Sequence, residues 1–163
     1  MPFYRCQIDS PVAAQAVLLR MRGLMREAPG FVQSVKESFC RRPEGSPPFI
    51  GSVDGTKFHI RRDIRYRNSF LPLIRGSVTA TPKGARVLIT MHLHPLVAAF
   101  MVFWLGAVGV GAIGIFASQN GGSQSGLIPT GMFMFGVVLT VGGFYPEAVK
   151  ARHLLEQGIA RSA

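Results

Sequence analysis

Between Arg86 and Glu147 the chain runs for 60 residues without one Asp, Glu, Lys or Arg, and nothing else in it restricts the fold as much. All 18 Lys+Arg and all 8 Asp+Glu lie in the remainder of the 163 residues. A soluble domain, about a quarter of whose residues are charged, does not contain such a run. Leu96 to Ala117 is uncharged and free of carboxamides, and at about 1.5 Å per residue it reaches ~33 Å, past the ~30 Å hydrocarbon core of a bilayer. Leu127 to Phe144, polar only at Thr130 and Thr140, reaches ~27 Å, and both hydroxyls can bond carbonyls of their own helix. Ser118 to Gly126 (SQNGGSQSG) is the polar turn between them. The expectation is a transmembrane hairpin over 95–145, with spans at about 96–117 and 127–144. The residues left over are too few to wrap two such helices in a soluble core.

Charge asymmetry sets an orientation. Of the 18 Lys+Arg, only Lys150, Arg152 and Arg161 follow the second span, and the connecting loop has none, so both termini are expected in the cytoplasm. The first 25 residues do not read as a signal peptide, because Arg20 and Arg22 interrupt the apolar stretch after Val12. Cys6 and Cys40 have no metal-spaced partner and are read as structural thiols.

The cytoplasmic part, 1–94, reads as a basic α+β domain. Ser10-Pro11 looks like a helix start, and Ala13, Val17, Met21, Leu24 and Ala28 recur at helical spacing until Pro29-Gly30. That predicts an N-terminal helix over 11–28, whose role is to cover a sheet. Phe31 to Cys40 is ambiguous between helix and strand, and Arg41 to Pro48 reads as a linker. From Phe49 onward the period becomes two, predicting a four-stranded antiparallel sheet with strands at about 49–53, 57–66, 70–80 and 85–94. Phe58, Ile60, Ile64 and Tyr66 fall on one side of the second strand, with Arg62 the exception among them. After the second span, Pro146 and Glu147 open a C-terminal amphipathic helix over 146–163, striped by Ala148, Ala151, Leu155 and Ile159. Whether it docks on the sheet or on the membrane is left open.

The segment Tyr66-Arg-Asn-Ser-Phe-Leu-Pro72, with Phe58 to Gly76 around it, Phe49-Ile-Gly51 before it, and Met91-His-Leu-His-Pro95, Phe100 to Trp104 and Leu127 to Met132 after it, resembles a family of small bacterial two-span membrane proteins of unknown function. The resemblance covers about the last two thirds of the chain. It implies an integral protein of the bacterial inner membrane with a sheet domain before the hairpin, and it implies no activity, cofactor or catalytic residue.

Lys57, Arg61, Arg65, Arg67, Arg75 and Arg86, with His59, point to one side of the sheet and form the candidate surface for anionic lipid or a partner. Juxtamembrane cations serve topology as well, so a merely solvated basic face is the competing reading. His92 and His94 lie two apart on a strand, a spacing that can chelate a metal, but no further ligand reinforces it. No cofactor motif and no catalytic dyad is recognisable, and nucleic acid is a poor partner despite a pI near 10.8, since aromatic interleaving is sparse. Within the spans, Ala107, Gly111, Gly114 and Ser118 on one helix and Gly136, Thr140 and Gly143 on the other make small faces expected to pack together or to serve a homo-oligomer. The functional expectation is a non-enzymatic membrane protein whose basic sheet domain binds anionic lipid or a partner. An accessory subunit of a larger membrane complex is the alternative, and a lipid-acting enzyme comes third.

Overall fold

A computed structural model describes residues 2–26, 47–64, 66–118 and 126–160. The readings made for 31–40, for most of the linker, for Arg65, for Cys40 and for the centre of the helix-joining loop fall outside them. Among the described residues the architecture is α+β, a six-stranded mixed sheet with three helices. In chain order it runs β1 (Phe3–Ser10), α1 (Ala14–Gly23), β2 (Met25–Arg26), β3 (Phe49–Asp54), β4 (Lys57–Arg62), β5 (Leu73–Thr81), β6 (Gly84–His92), α2 (Pro95–Ala117) and α3 (Leu127–Ala160). The sheet order is β1-β6-β5-β4-β3-β2, antiparallel throughout except for the short β2–β3 pair.

Three expectations are corrected. The sheet has six strands rather than four, and its first strand precedes the helix that was expected to open the domain. In β1, Tyr4, Cys6 and Ile8 alternate with exposed Phe3, Arg5, Gln7 and Asp9, so its inner side chains complete the apolar face beside β6. Ser10 closes this strand instead of capping a helix; its hydroxyl accepts from the Val12 amide at 3.3 Å, and α1 starts at Ala14 without a side-chain cap. The C-terminal helix is not separate either. It continues the apolar helix through Pro146, as one helix of 34 residues and about 51 Å. Pro146 lacks the N–H that the Gly142 carbonyl would accept, and packing on both sides of the break carries the helix across it.

The core forms where two helices cover one sheet face. Phe58, Ile60, Ile74, Val78, Val87, Ile89 and Met91 point inward from β4, β5 and β6. Val17 and Met21 of α1, and Phe144, Ala148, Ala151, Leu155 and Ile159 of α3, close over them. The stripe on α3 thus docks on the sheet domain. Arg20, in the last turn of α1, donates to the Ile159 carbonyl at 2.9 Å and so satisfies one of the open acceptors near the end of α3. Gly55, with φ of +55°, makes the tight β3–β4 turn that Asp54-Gly55 predicts.

The remaining length of α2 and α3 is different in kind. Both helices are long and apolar enough to cross a membrane, and only 17% of the most apolar stretch of each is buried. A core helix of a soluble protein would be mostly covered, whereas Phe100, Phe103, Val110, Ile113, Phe135 and Val138 are left bare.

Candidate functional site

The outer face of the sheet follows from the same alternation that fills the core. Because Phe58 and Ile60 point inward, Lys57, His59 and Arg61 of β4 must point outward, and Arg75 does so between Ile74 and Gly76 of β5. Register sets their spacing. His59 stands opposite Arg75, Arg75 opposite Thr90, and Thr90 opposite Arg5. Lys57 and Arg61 lie two residues either side of His59, on the diagonals of Arg75, roughly 7–8 Å away. Arg5 therefore joins the patch; its place on an outward-alternating strand was readable only once β1 itself was recognised.

Arg86 does not join it. Its Nε donates to Asp9 at 3.0 Å, and it sits opposite Thr79, about 13 Å along β5 from Arg75. Hydrogen bonds from Gln7 and from Arg86 hold the Asp9 carboxyl below the usual carboxylate range. Arg67 is exposed in the segment between β4 and β5. Among the described residues no carboxylate forms an ion pair with Arg5, Lys57, Arg61 or Arg75.

The patch has a definite relation to the apolar helices. Arg61 stands level with His92, since both are opposite Leu73, and α2 begins three residues after His92. Arg75, His59 and Arg5 are one step of two residues further, about 7 Å along the strands, and Lys57 about 13 Å. Arg86 lies about 20 Å from that end.

A second cluster, inside, ties sheet and helix together. β4 ends at Arg62, not at Tyr66 as the alternation suggested, and the next strand starts at Leu73, not Phe70. The chain between them leaves the sheet to grip α3. Arg62, the charged residue on the apolar side, donates to Oε2 of Glu147, a carboxylate 5% exposed. Tyr66 donates its phenol to Oε1 at 2.5 Å, and Lys150 reaches the same oxygen at 3.5 Å. The Glu147 carboxylate pushes the Tyr66 phenol above its ordinary pKa. Asn68 folds the segment on itself, accepting from the Phe70 amide at 2.9 Å and donating to the Gly143 carbonyl at 3.0 Å. The Phe70 ring lies so close to Gly143 that a side chain there would strike it. With both Glu147 oxygens held, the cluster is a fastening between sheet and helix. The sequence carries half of the signal, since an arginine on an apolar strand face needs a carboxylate, but nothing local to Arg62 says which one.

The histidines are dispersed. His92 Nδ1 lies 2.9 Å from the Leu93 carbonyl, His94 Nδ1 accepts from the Leu96 amide at 3.3 Å as the cap of α2, and His59 is at the centre of the basic patch. No group of three metal-capable side chains occurs among the described residues. Cys6 is half-buried, and burial raises its thiol pKa.

The two small helix faces do not meet. Gly136 lies under Trp104 and Leu105, Thr140 is buried with its hydroxyl on the Gly136 carbonyl at 2.7 Å, and Gly143 takes Phe70. On α2 the contact runs through Gly109, beneath Phe133, while Ala107, Gly111, Gly114 and Ser118 are exposed. No protein-family model, no curated protein and no solved structure matches the chain, so the chemistry of these residues carries the functional reading.

Proposed function

We propose that the protein is a non-enzymatic integral membrane protein, with α2 and the first half of α3 in the bilayer and the sheet domain on the cytoplasmic side, holding anionic phospholipid headgroups at the end of its basic face. The carrying observation is the row Arg61, Arg75 and Arg5, within about 7 Å along the strands of the end from which α2 departs. Because attraction to an anionic leaflet, about 1 kcal/mol for a cation near its surface, fades over a Debye length of about 8–10 Å, these cations at the helix end of the face act on it more strongly than Arg86, which lies about 13 Å further along the strands than Arg75. The bare apolar surface of both helices supports the membrane placement, the arginine and lysine distribution supports cytoplasmic termini, and the resemblance around Tyr66 to Pro72 supports a bacterial inner membrane.

The test uses the full chain reconstituted in nanodiscs of mixed phosphatidylglycerol and phosphatidylcholine, with lipid association read by spin-label competition. The wild type should prefer phosphatidylglycerol several-fold, less so as salt rises. Arg5→Glu/Arg61→Glu/Arg75→Glu should lose the preference, and Lys83→Glu/Arg86→Glu at the far end should keep it. Equal behaviour of the two variants, or no preference in the wild type, would remove the lipid reading. The accessory-subunit reading rests on a different observation, the open Ala107, Gly111 and Gly114 face of α2, which a neighbouring helix could approach closely. Cross-linking in native membranes that recovers only the monomer would count against it.

A further inference from the structure

Strand register draws one straight row of polar side chains across the outer face of the sheet. Thr90 stands between buried Ile89 and Met91 and therefore points outward. Arg75 faces it from β5, Arg5 faces it from β1, and His59 stands on the far side of Arg75. Neighbouring strands lie about 4.8 Å apart, so the two arginines are rooted roughly 10 Å from each other with the Thr90 hydroxyl midway between them. Both guanidinium groups can converge above that hydroxyl. The Arg5 guanidinium stands 5.5 Å from the centre of the Phe3 ring, and an aromatic face that attracts the cation leaves N–H groups of its fork open to an acceptor. Among the described residues no acid pairs with either arginine.

Two planar forks on either side of one hydroxyl recognise more than charge. A guanidinium binds phosphate through two parallel N–H bonds, which engage a pair of its oxygens. A phosphodiester headgroup has only such a pair, and one fork occupies it. A phosphomonoester offers three terminal oxygens and a charge of about −1.5 to −2 near pH 7, so the second fork and the hydroxyl also find acceptors. One step of two residues nearer α2, Phe3 and Leu73 both stand opposite His92 on the same outer face, and Phe3 is half-exposed. Apolar side chains thus lie between the row and the end from which α2 departs. A dissolved phosphate gains nothing from them, whereas the glycerol and first methylenes of a lipid do.

We propose that Arg5, Thr90 and Arg75 form a discrete site for one phosphomonoester group, carried by a membrane lipid of the phosphatidic acid type. Arg61 and Lys57, in the rows on either side, add attraction without entering the clamp. The inference rests on the anionic-lipid reading of this face and narrows it from a charge preference to a headgroup.

The experiment uses the full chain in nanodiscs of phosphatidylcholine containing either phosphatidic acid or phosphatidylglycerol, at about pH 8 so that the second ionisation of the monoester, near pH ~6, is complete. Association is read by spin-label competition. The wild type should prefer phosphatidic acid to phosphatidylglycerol several-fold. Arg5→Lys/Arg75→Lys keeps the charge and removes both forks, and Thr90→Val keeps the shape and removes the hydroxyl. Each should bring the two anionic lipids close to parity, while the preference of phosphatidylglycerol over phosphatidylcholine and the thermal midpoint stay as in the wild type. A lysine variant that still discriminates would show that charge alone is read, and would overturn the site while leaving the anionic-lipid reading intact. Equal association of both anionic lipids with the wild type would overturn it too. Loss of any preference over phosphatidylcholine in the wild type would remove the underlying reading. Millimolar glycerol 3-phosphate should leave bound phosphatidic acid in place; its displacement would overturn the lipid source and assign the clamp to a soluble phosphomonoester.

Discussion

Glu147 is the residue on which the attachment between sheet and helix depends, because its buried carboxylate is met by groups from β4, from the segment after it and from α3 itself. Removing one partner of a buried ion pair leaves the other charge desolvated and alone, a loss of about 3 kcal/mol or more. Arg62→Met should therefore lower the thermal midpoint in detergent far more than Lys150→Ala, whose ammonium is mostly in solvent. The double change Arg62→Met/Glu147→Leu should recover most of the difference; if it is as unstable as the single variant, the pair is not what fastens the helix. Asp9 gives a weaker, pH-dependent effect. Its folded carboxyl titrates below its unfolded value, so its bonds to Gln7 and Arg86 stabilise the fold above the unfolded carboxylate range, near pH ~4, and that contribution is lost as pH falls through the lower folded value. Asp9→Asn should be slightly less stable than the wild type at pH 7, and the gap should narrow as the pH falls below the ordinary carboxylate range; a gap that does not change with pH would mean that charge is not the cause.

At the scale of elements, α3 carries two jobs on one helix, and Gly143 marks the changeover. Phe70 packs directly on it, so Gly143→Leu should cost about 1–3 kcal/mol by overpacking, while Gly142→Leu, with open space around it, should be neutral or mildly stabilising. Comparable losses in the two variants, measured by thermal unfolding, would remove the Phe70 contact from the account. The elements also differ in how readable they were. β3, β4, β5 and β6 announce themselves by alternation and by Asp54-Gly55, because one face of each is buried and the other bare. β1 alternates just as cleanly in Tyr4, Cys6 and Ile8, yet its eight residues stand beside a stronger helical pattern that masks them. Pro146 reads as a helix start on local grounds, and only the docking of Phe144, Ala148 and Ala151 on the sheet explains why the helix passes through it. Tyr66 to Pro72 reads as a turn and a strand start, whereas its contacts are with residues more than seventy positions away.

For the whole molecule, the sheet domain is not separable from its helices, since α3 supplies five of the buried side chains that close the core. Residues 1–94 alone should bind a hydrophobic dye and lack near-ultraviolet dichroism, while the full chain in detergent shows a cooperative transition; a folded, dye-silent fragment would overturn this dependence. Orientation is checked with cysteine variants: Ser118→Cys should react with an impermeant maleimide only from outside the cell, and Lys83→Cys only after the membrane is opened. The reverse pattern would place the basic face on the wrong side for the proposed lipid contact. By itself the sequence determined that the chain has two helices long and apolar enough to cross a membrane, beside a sheet with one basic face. Those facts follow from hydropathy and from period-two alternation, which are local properties. Tertiary structure alone decided that Arg5 joins Arg75 and Arg86 does not, that Glu147 meets Arg62 and Tyr66, and that the last helix continues the second apolar one. Each of these depends on strand register or on contacts across most of the chain, which no local pattern of residues encodes.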